Sequence, residues 1–274
     1  MRAARVSCPP VFSSNRRLIF AHRGGAKLAP ENTIAAFDRG MACGADGLEL
    51  DTQLSKDGVA VVIHDKTLDR TTDRGGRVHD LTAAELASVD AGYRFEKDGA
   101  FPFRGQGIGI PTLAAVMQRY PAARVIIEMK GGEHELAHEV ARIVRDAGAV
   151  DRVCAGSFYR TSVEELRRHA PEIVTSASEP ESRWTLHRSW IRFPWVSARP
   201  YAAFQVPERV GRMRVASPGF FRQAHREGQT VQVWVVDTPA DAMRLFAWGA
   251  DGLISDRPDL LVPARDEWER QHGR

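Results

Sequence analysis

The sequence predicts an α/β fold, a closed TIM-type (β/α)8 barrel, on three observations. Short apolar runs without polar alternation, as in strands buried on both faces, alternate with segments whose apolar residues recur at helical spacing. Eight or so such units within ~250 residues argue for a closed barrel. The chemically active side chains fall at the ends of the runs, where barrel enzymes carry their sites. An open doubly wound sheet is the alternative. It wants a Gly-rich phosphate fingerprint after the first strand, and Gly24-Gly25 does not supply one.

Leu18 to Ala21 reads as the first buried strand and stops at His22-Arg23-Gly24-Gly25. Asn32 is the expected N-cap of a helix carrying Ile34, Phe37 and Met41, ended by Gly44. Gly47 to Thr52 is the next strand, with Glu49 and Asp51 on one face because side chains alternate. Asp57-Gly58 favours a two-residue type I′ turn. That turn would pair Lys56 with Val59 and set Asp51 opposite His64.

Residues 66 to 110 read as an inserted loop-rich segment with one short helix capped by Thr82 and Glu85. Thr112 caps a helix, Arg124 to Glu128 is a strand, and Leu136, Val140, Ile143 and Val144 mark an amphipathic helix ended by Gly148. Further strands are expected at Val153 to Ser157, Ile173 to Ala177, Ala203 to Val206, Val231 to Val236 and Gly252 to Ser255. Ser162 and Glu165 suggest a capping box, Phe220 to Glu227 a helix, and Pro239 opens a helix closed by Gly249. The expected organisation is a loose tail over 1–17, one barrel domain over 18–262 and a polar tail over 263–274.

The 274 residues suffice for a sizeable core. Net charge is +3, from 38 basic and 35 acidic residues, with no basic stripe interleaved with aromatics, so no nucleic-acid partner is expected. Cys8, Cys43 and Cys154 cannot form a disulfide framework and read as thiols in a reducing compartment. The apolar part of the first seventeen residues is broken by Pro9, Pro10, Ser13 and Ser14, which is not a signal-peptide core. A cytoplasmic location is the expectation; oligomeric state is left open.

The chemistry concentrates between Ile19 and Asp65, with a second patch at Glu128-Met129-Lys130. His22 and His64 can move protons near neutral pH. Glu49, Asp51 and Glu128 make an oxygen-rich set suited to one hard divalent cation, Mg²⁺ or Ca²⁺. Arg23 and Lys130 can hold a phosphate. Together these are the equipment for cleaving a phosphodiester. Each group also has a blander reading: a histidine hydrogen-bonded at a strand end, or inward carboxylates pairing Arg23 and Lys130 without metal. Phe158 and Trp234 are candidate pocket walls or simple packing, and Gln205 is a polar residue whose strand pattern could turn it to the site. Arg183 to Tyr201, with three tryptophans and four arginines, is either a rim-packing segment or a weak lipid-interface contact. The remaining histidines read as surface residues.

These residues resemble the glycerophosphodiester phosphodiesterases. The resemblance lies in His22-Arg23-Gly24, Pro30-Glu31-Asn32-Thr33, Glu49-x-Asp51, His64-Asp65, Leu68-Asp69-Arg70-Thr71-Thr72, Pro111-Thr112-Leu113 and Glu128-x-Lys130. It continues through Ser157-Phe158 and Trp234 to Asp251-Gly252-Leu253-Ile254-Ser255-Asp256-x-Pro258, covering roughly residues 18 to 260. It implies a TIM-type barrel hydrolysing glycerophosphodiesters to glycerol 3-phosphate and an alcohol with a divalent cation. His22 and His64 would be the acid/base pair, Glu49, Asp51 and Glu128 the metal ligands, and Arg23 and Lys130 the phosphate contacts. One departure is Trp234-Val235-Val236-Asp237, where the family usually shows Trp-Thr-Val-Asn. A lysophospholipase D using the same site is the alternative reading.

Overall fold

A computed structural model of the protein describes residues 9–191 and 199–273. Strand β1 (Leu18–His22) leads through helix α1 (Ile34–Ala42) to β2 (Gly47–Leu54), which turns back as β3 (Ala60–Val62). The inserted segment carries the short α2 (Ala83–Ala87) and returns to the barrel at α3 (Leu113–Arg119). Then follow β4 (Arg124–Met129), α4 (His134–Asp146), β5 (Val153–Gly156), α5 (Arg160–His169), β6 (Val174–Thr175) and α6 (Glu179–Ile191). The last part holds β7 (Ala203–Pro207), a hairpin of β8 (Arg209–Val210) and β9 (Met213–Arg214), and α7 (Pro218–Arg226). It ends with β10 (Thr230–Trp234), α8 (Pro239–Trp248), β11 (Gly252–Ser255) and α9 (Pro258–His272).

Among the described residues, eight parallel strands run in the order β6-β5-β4-β2-β1-β11-β10-β7. The ring closes between β6 and β7 through the Ser176–Ala203 bridge, where Ala177 N–H donates to Ala203 O at 2.8 Å and Ala202 N–H to Thr175 O at 3.0 Å. The predicted (β/α)8 barrel is the observed fold. Its interior is filled by alternate strand residues, among them Leu18, Phe20, Ile126, Cys154, Ala203 and Ile254. Gly47 leaves room for this layer: a Cβ there would stand 2.5 Å from Arg124 O and 2.8 Å from the Phe20 ring. The inserted segment has its own small core around Leu68, Val78, Leu86 and Ile110.

Several local expectations are corrected. The chain packs before Leu18: Val11 and Phe12 are buried against the barrel interior, with the Phe12 and Phe20 rings edge-on at 6.2 Å. At the other end, the segment expected as a polar tail is most of α9. Its Leu261 and Ala264 pack on the barrel's outer core, and Arg265, almost fully buried, pairs with Asp46 and Asp266. Pro263 and the charges around it hid an apolar stripe. Thr33, not Asn32, caps α1, accepting from Ala36 N–H at 3.2 Å. Ser162 and Glu165 lie inside α5; Ser162 Oγ donates to Gly131 O at 2.6 Å.

The hairpin after β2 also differs from its prediction. Ser55 N–H donates to Val59 O, and Gly58, at φ +75°, takes the left-handed position of a three-residue loop. The register is Thr52 with Val62 and Leu54 with Ala60, one residue from the expectation, so Ile63 rather than His64 stands opposite Asp51. No helix of the described residues is long and apolar enough to cross a membrane.

Candidate active site

Register builds the site. Parallel pairing sets His22 of β1 beside Glu49 of β2, and Asp51 of β2 beside Glu128 of β4. These positions lie toward the C-terminal side of the barrel, so side chains far apart in sequence converge on its mouth. Lys130 follows Glu128 by two residues and reaches back, its Nζ 3.0 Å from Asp51 Oδ1 and 2.8 Å from Glu128 Oε2. Arg23 sits with φ +50° in the tight turn after β1. Its Nε lies 3.1 Å from Asp51 Oδ2, and its Nη1 donates to Glu31 Oε1 at 2.9 Å.

Each histidine is held at one nitrogen by a carboxylate. His22 Nδ1 is 2.6 Å from Asp256 Oδ1, which follows β11, and His64 Nδ1 is 2.6 Å from Asp65 Oδ1. A carboxylate only accepts, so Nδ1 carries the hydrogen and Nε2 is left for chemistry. His22 Nε2 stands 3.8 Å from Glu49 Oε2. His64 left its predicted place opposite Asp51, yet it lines the same cavity because the chain turns out of β3 beyond Val62.

The groups that hold these side chains lie within the sequence motifs, but the sequence reading gave them no role at the site. Arg70, from the inserted segment, donates to Asp65 and to both oxygens of Glu31. Asn32, at φ +58°, spends its side chain on Asp51: Nδ2 donates to Oδ2 at 2.8 Å and Oδ1 accepts from the Asp51 N–H at 3.3 Å. Asp65 directly follows His64, so adjacency was a usable signal. The pairing of Asp256, 234 residues from His22, left none.

The electrostatics ask for one more positive charge. Burial, then the neighbouring Asp51 charge, pushes the Glu49 carboxyl up to about 7. Burial also raises Glu128, against the pull of Lys130. Burial would lift Asp51 too, but Lys130 and Arg23 hold it below the usual carboxylate range. Burial would lower His22; the hydrogen bond to Asp256 and the Glu49 charge outweigh it and raise it. Asp65, despite partial burial, is held at about 2 by Arg70 and His64.

Glu49, Asp51 and Glu128 bring one oxygen each within 4.8 Å of one another, and Glu128 Oε1 is buried with no hydrogen-bond partner. An all-oxygen set of this size, short of positive charge, fits a hard divalent cation. The cluster opens into a cavity of about 690 Å³. His22, Arg23, His64, Glu128 and Lys130 line its polar end, and Phe158, Gln205 and Trp234 line its walls. The Phe158 and Trp234 rings meet edge-on at 6.2 Å. Beyond them the lining is mixed: Leu186, Val206, Val210, Met213 and Val215 are apolar, and Glu179, Ser182 and Arg183 of α6 are polar.

Comparison with known proteins places the chain in a family. Residues 22–260 match the model of the glycerophosphoryl diester phosphodiesterase family. A glycerophosphodiester phosphodiesterase of Caldanaerobacter subterraneus is 33% identical over 252 residues, covering 90% of this chain and 97% of that one. Mouse lysophospholipase D GDPD3 is 26% identical over 283 residues, covering 96% of this chain and 85% of that one. The structure of an Oleispira antarctica phosphodiesterase in complex with the product sn-glycerol-3-phosphate superposes with a TM-score of 0.70 at 26% identity, covering 92% of this chain and 97% of that one. With a family match over most of its length and a 33% identical relative aligned end to end, the chain belongs to the glycerophosphoryl diester phosphodiesterase family.

Proposed function

We propose that the site hydrolyses glycerophosphodiesters to glycerol 3-phosphate and an alcohol. The observation that carries this reading is the pair of histidines, each anchored at Nδ1 by a carboxylate, beside three converging carboxylates and two cationic side chains. Arg23 and Lys130 bind the phosphate and offset the charge that an anionic diester presents to its nucleophile. Glu49, Asp51 and Glu128 hold one divalent cation, Mg²⁺ or Ca²⁺, which when bound supplies further charge neutralisation at the phosphoryl oxygens. One histidine takes the proton of the nucleophile, water or the substrate's own glycerol hydroxyl, as its bond to phosphorus forms; where the hydroxyl attacks, a cyclic glycerophosphate results, which water opens to glycerol 3-phosphate in a second step. The other gives a proton to the alkoxide as the opposite P–O bond breaks. Phe158, Trp234 and Gln205 shape the wall against which the organic groups lie.

A lysophospholipid is the second reading. The cavity, at about 690 Å³, is roomier than a glycerol group requires, and the mouse relative is named a lysophospholipase D. Release of glycerol 3-phosphate from glycerophosphocholine, and of choline from lysophosphatidylcholine, separates the two. The measurement is made with EDTA and then with Mg²⁺ or Ca²⁺ restored. Cation-restored turnover of the water-soluble diester supports the first reading. Turnover of the lysolipid alone moves the assignment to the second, and turnover undiminished by EDTA removes the metal.

A further inference from the structure

The β8–β9 hairpin stands on the catalytic rim directly after β7, turning at Gly211 with φ +57°. Val210 and Met213 are cross-strand partners, so their side chains share one face. Both line the mouth of the cavity and both are exposed, at 56% and 38%. Phe158, 56% exposed, stands on the same mouth, and Val235, 40% exposed, directly follows the wall residue Trp234. Among the described residues, large apolar side chains are thus left uncovered at the mouth of the cavity.

The hairpin also carries unneutralised charge. Arg209 and Arg212 are exposed and have no carboxylate within ion-pair distance among the described residues; Arg209 Nη1 only donates to Arg212 O, at 3.4 Å. Arg214, by contrast, is paired with Glu208 at 3.3 Å. Two apolar side chains on one face, on a hairpin whose Arg209 and Arg212 have no carboxylate partner among the described residues, suit the boundary between lipid headgroups and acyl chains. The apolar pair enters the boundary while the guanidinium groups reach the phosphates.

We propose that this hairpin docks the catalytic face on an anionic phospholipid surface. The apolar lining, running from Val210 and Met213 inward to Val206, Val215 and Leu186, then offers a single-chain phosphodiester a path from the bilayer to the site. That use of the docked state rests on the proposed function; the docking itself does not. Each basic residue near an anionic surface contributes roughly a fivefold gain in partitioning.

Flotation of the full chain with vesicles of phosphatidylglycerol and phosphatidylcholine, against vesicles of phosphatidylcholine alone, tests the proposal. The expected result is recovery with the anionic vesicles only, weakened at least tenfold in Arg209→Glu/Arg212→Glu. That variant should keep wild-type turnover of glycerophosphocholine, which shows that it folds and that the reaction is a separate matter. Equal recovery on neutral vesicles, no recovery on either, or undiminished recovery of the variant would each overturn the proposal. So would a wild-type dimer in sedimentation that the variant breaks to monomers, since the hairpin would then be covered by a second copy of the chain.

Discussion

Arg70 grips Glu31 with two hydrogen bonds, Nη1 to Oε2 at 2.7 Å and Nη2 to Oε1 at 2.8 Å, while its Nε holds Asp65 Oδ2 at 2.5 Å. One guanidinium from the inserted segment therefore braces the carboxylates that orient Arg23 and His64. A lysine is a point charge and cannot span both. Arg70→Lys is expected to lower kcat about tenfold or more with KM little changed, as losses of supporting partners do. Steady-state kinetics on glycerophosphocholine checks this. A raised KM at unchanged kcat would instead make Arg70 a substrate contact.

Asp256 fixes the tautomer of His22. Asp256→Asn keeps the shape but can donate to Nδ1, which turns the hydrogen to Nε2. Turnover should fall by at least ~10², comparable to His22→Ala and His64→Ala. A variant as active as wild type would remove the Asp256–His22 pair from the mechanism.

Asn32 combines a left-handed backbone with two hydrogen bonds to Asp51. Asn32→Gly keeps the backbone accessible and deletes the amide, so cation affinity should weaken about 10- to 100-fold while the fold survives. Calorimetric titration with Mg²⁺ or Ca²⁺ measures it, and an unchanged Kd would show that Asp51 is oriented without Asn32. Asn32→Ala should cost an additional ~1–2 kcal/mol of stability from the left-handed backbone.

Gly47 is a packing position. Its absent Cβ makes room for Arg124 O and the Phe20 ring. Gly47→Ala should destabilise by about 1–3 kcal/mol through overpacking, visible as a drop in Tm. An unaltered Tm would mean that β2 and β4 part at no cost.

Glu181 tests the acid limb of stability. Burial would raise its carboxyl, but hydrogen bonds from Arg167 and from Ser178 N–H and Oγ hold it below the ordinary range. A depressed acid contributes stability above its unfolded pKa of about 4.3 and loses it as pH falls through the lower folded value. Glu181→Gln should therefore cost roughly 1–2 kcal/mol at pH 7. The gap to wild type should shrink below about pH 4. Urea denaturation at pH 7 and 3.5 compares the two; a gap independent of pH would rule the carboxylate out as its source.

The hairpin after β2 shows where sequence reasoning stops. Asp57-Gly58 correctly marks a turn, but the same pair serves a two-residue loop or the end of a three-residue loop with Gly58 left-handed. Choosing wrongly shifts the register by one, so Ile63 and not His64 faces Asp51. Asn32 is a related case. Its place before an apolar run suits an N-cap, and only the course of the loop shows Thr33 capping while Asn32 serves Asp51. In α9, Pro263 and a run of charges suggested a solvated tail, because the burial of Arg265 depends on Asp46 reaching it from 219 residues away.

The sequence by itself determined the alternation of strands and helices, hence the barrel, put His22, Glu128 and Lys130 at or beside strand ends, and put Glu49 and Asp51 on one face of a strand. Hydrophobic periodicity and side-chain alternation are local properties that the chain carries wherever it lies. Tertiary structure alone decided which carboxylate holds which histidine, that Arg70 ties the inserted segment to Glu31 and Asp65, and which side chains share the cavity. Those relations depend on the closure of the ring and the paths of its loops, which bring together groups hundreds of residues apart. A charge acts on its neighbours according to their distance, and no sequence spacing encodes that distance.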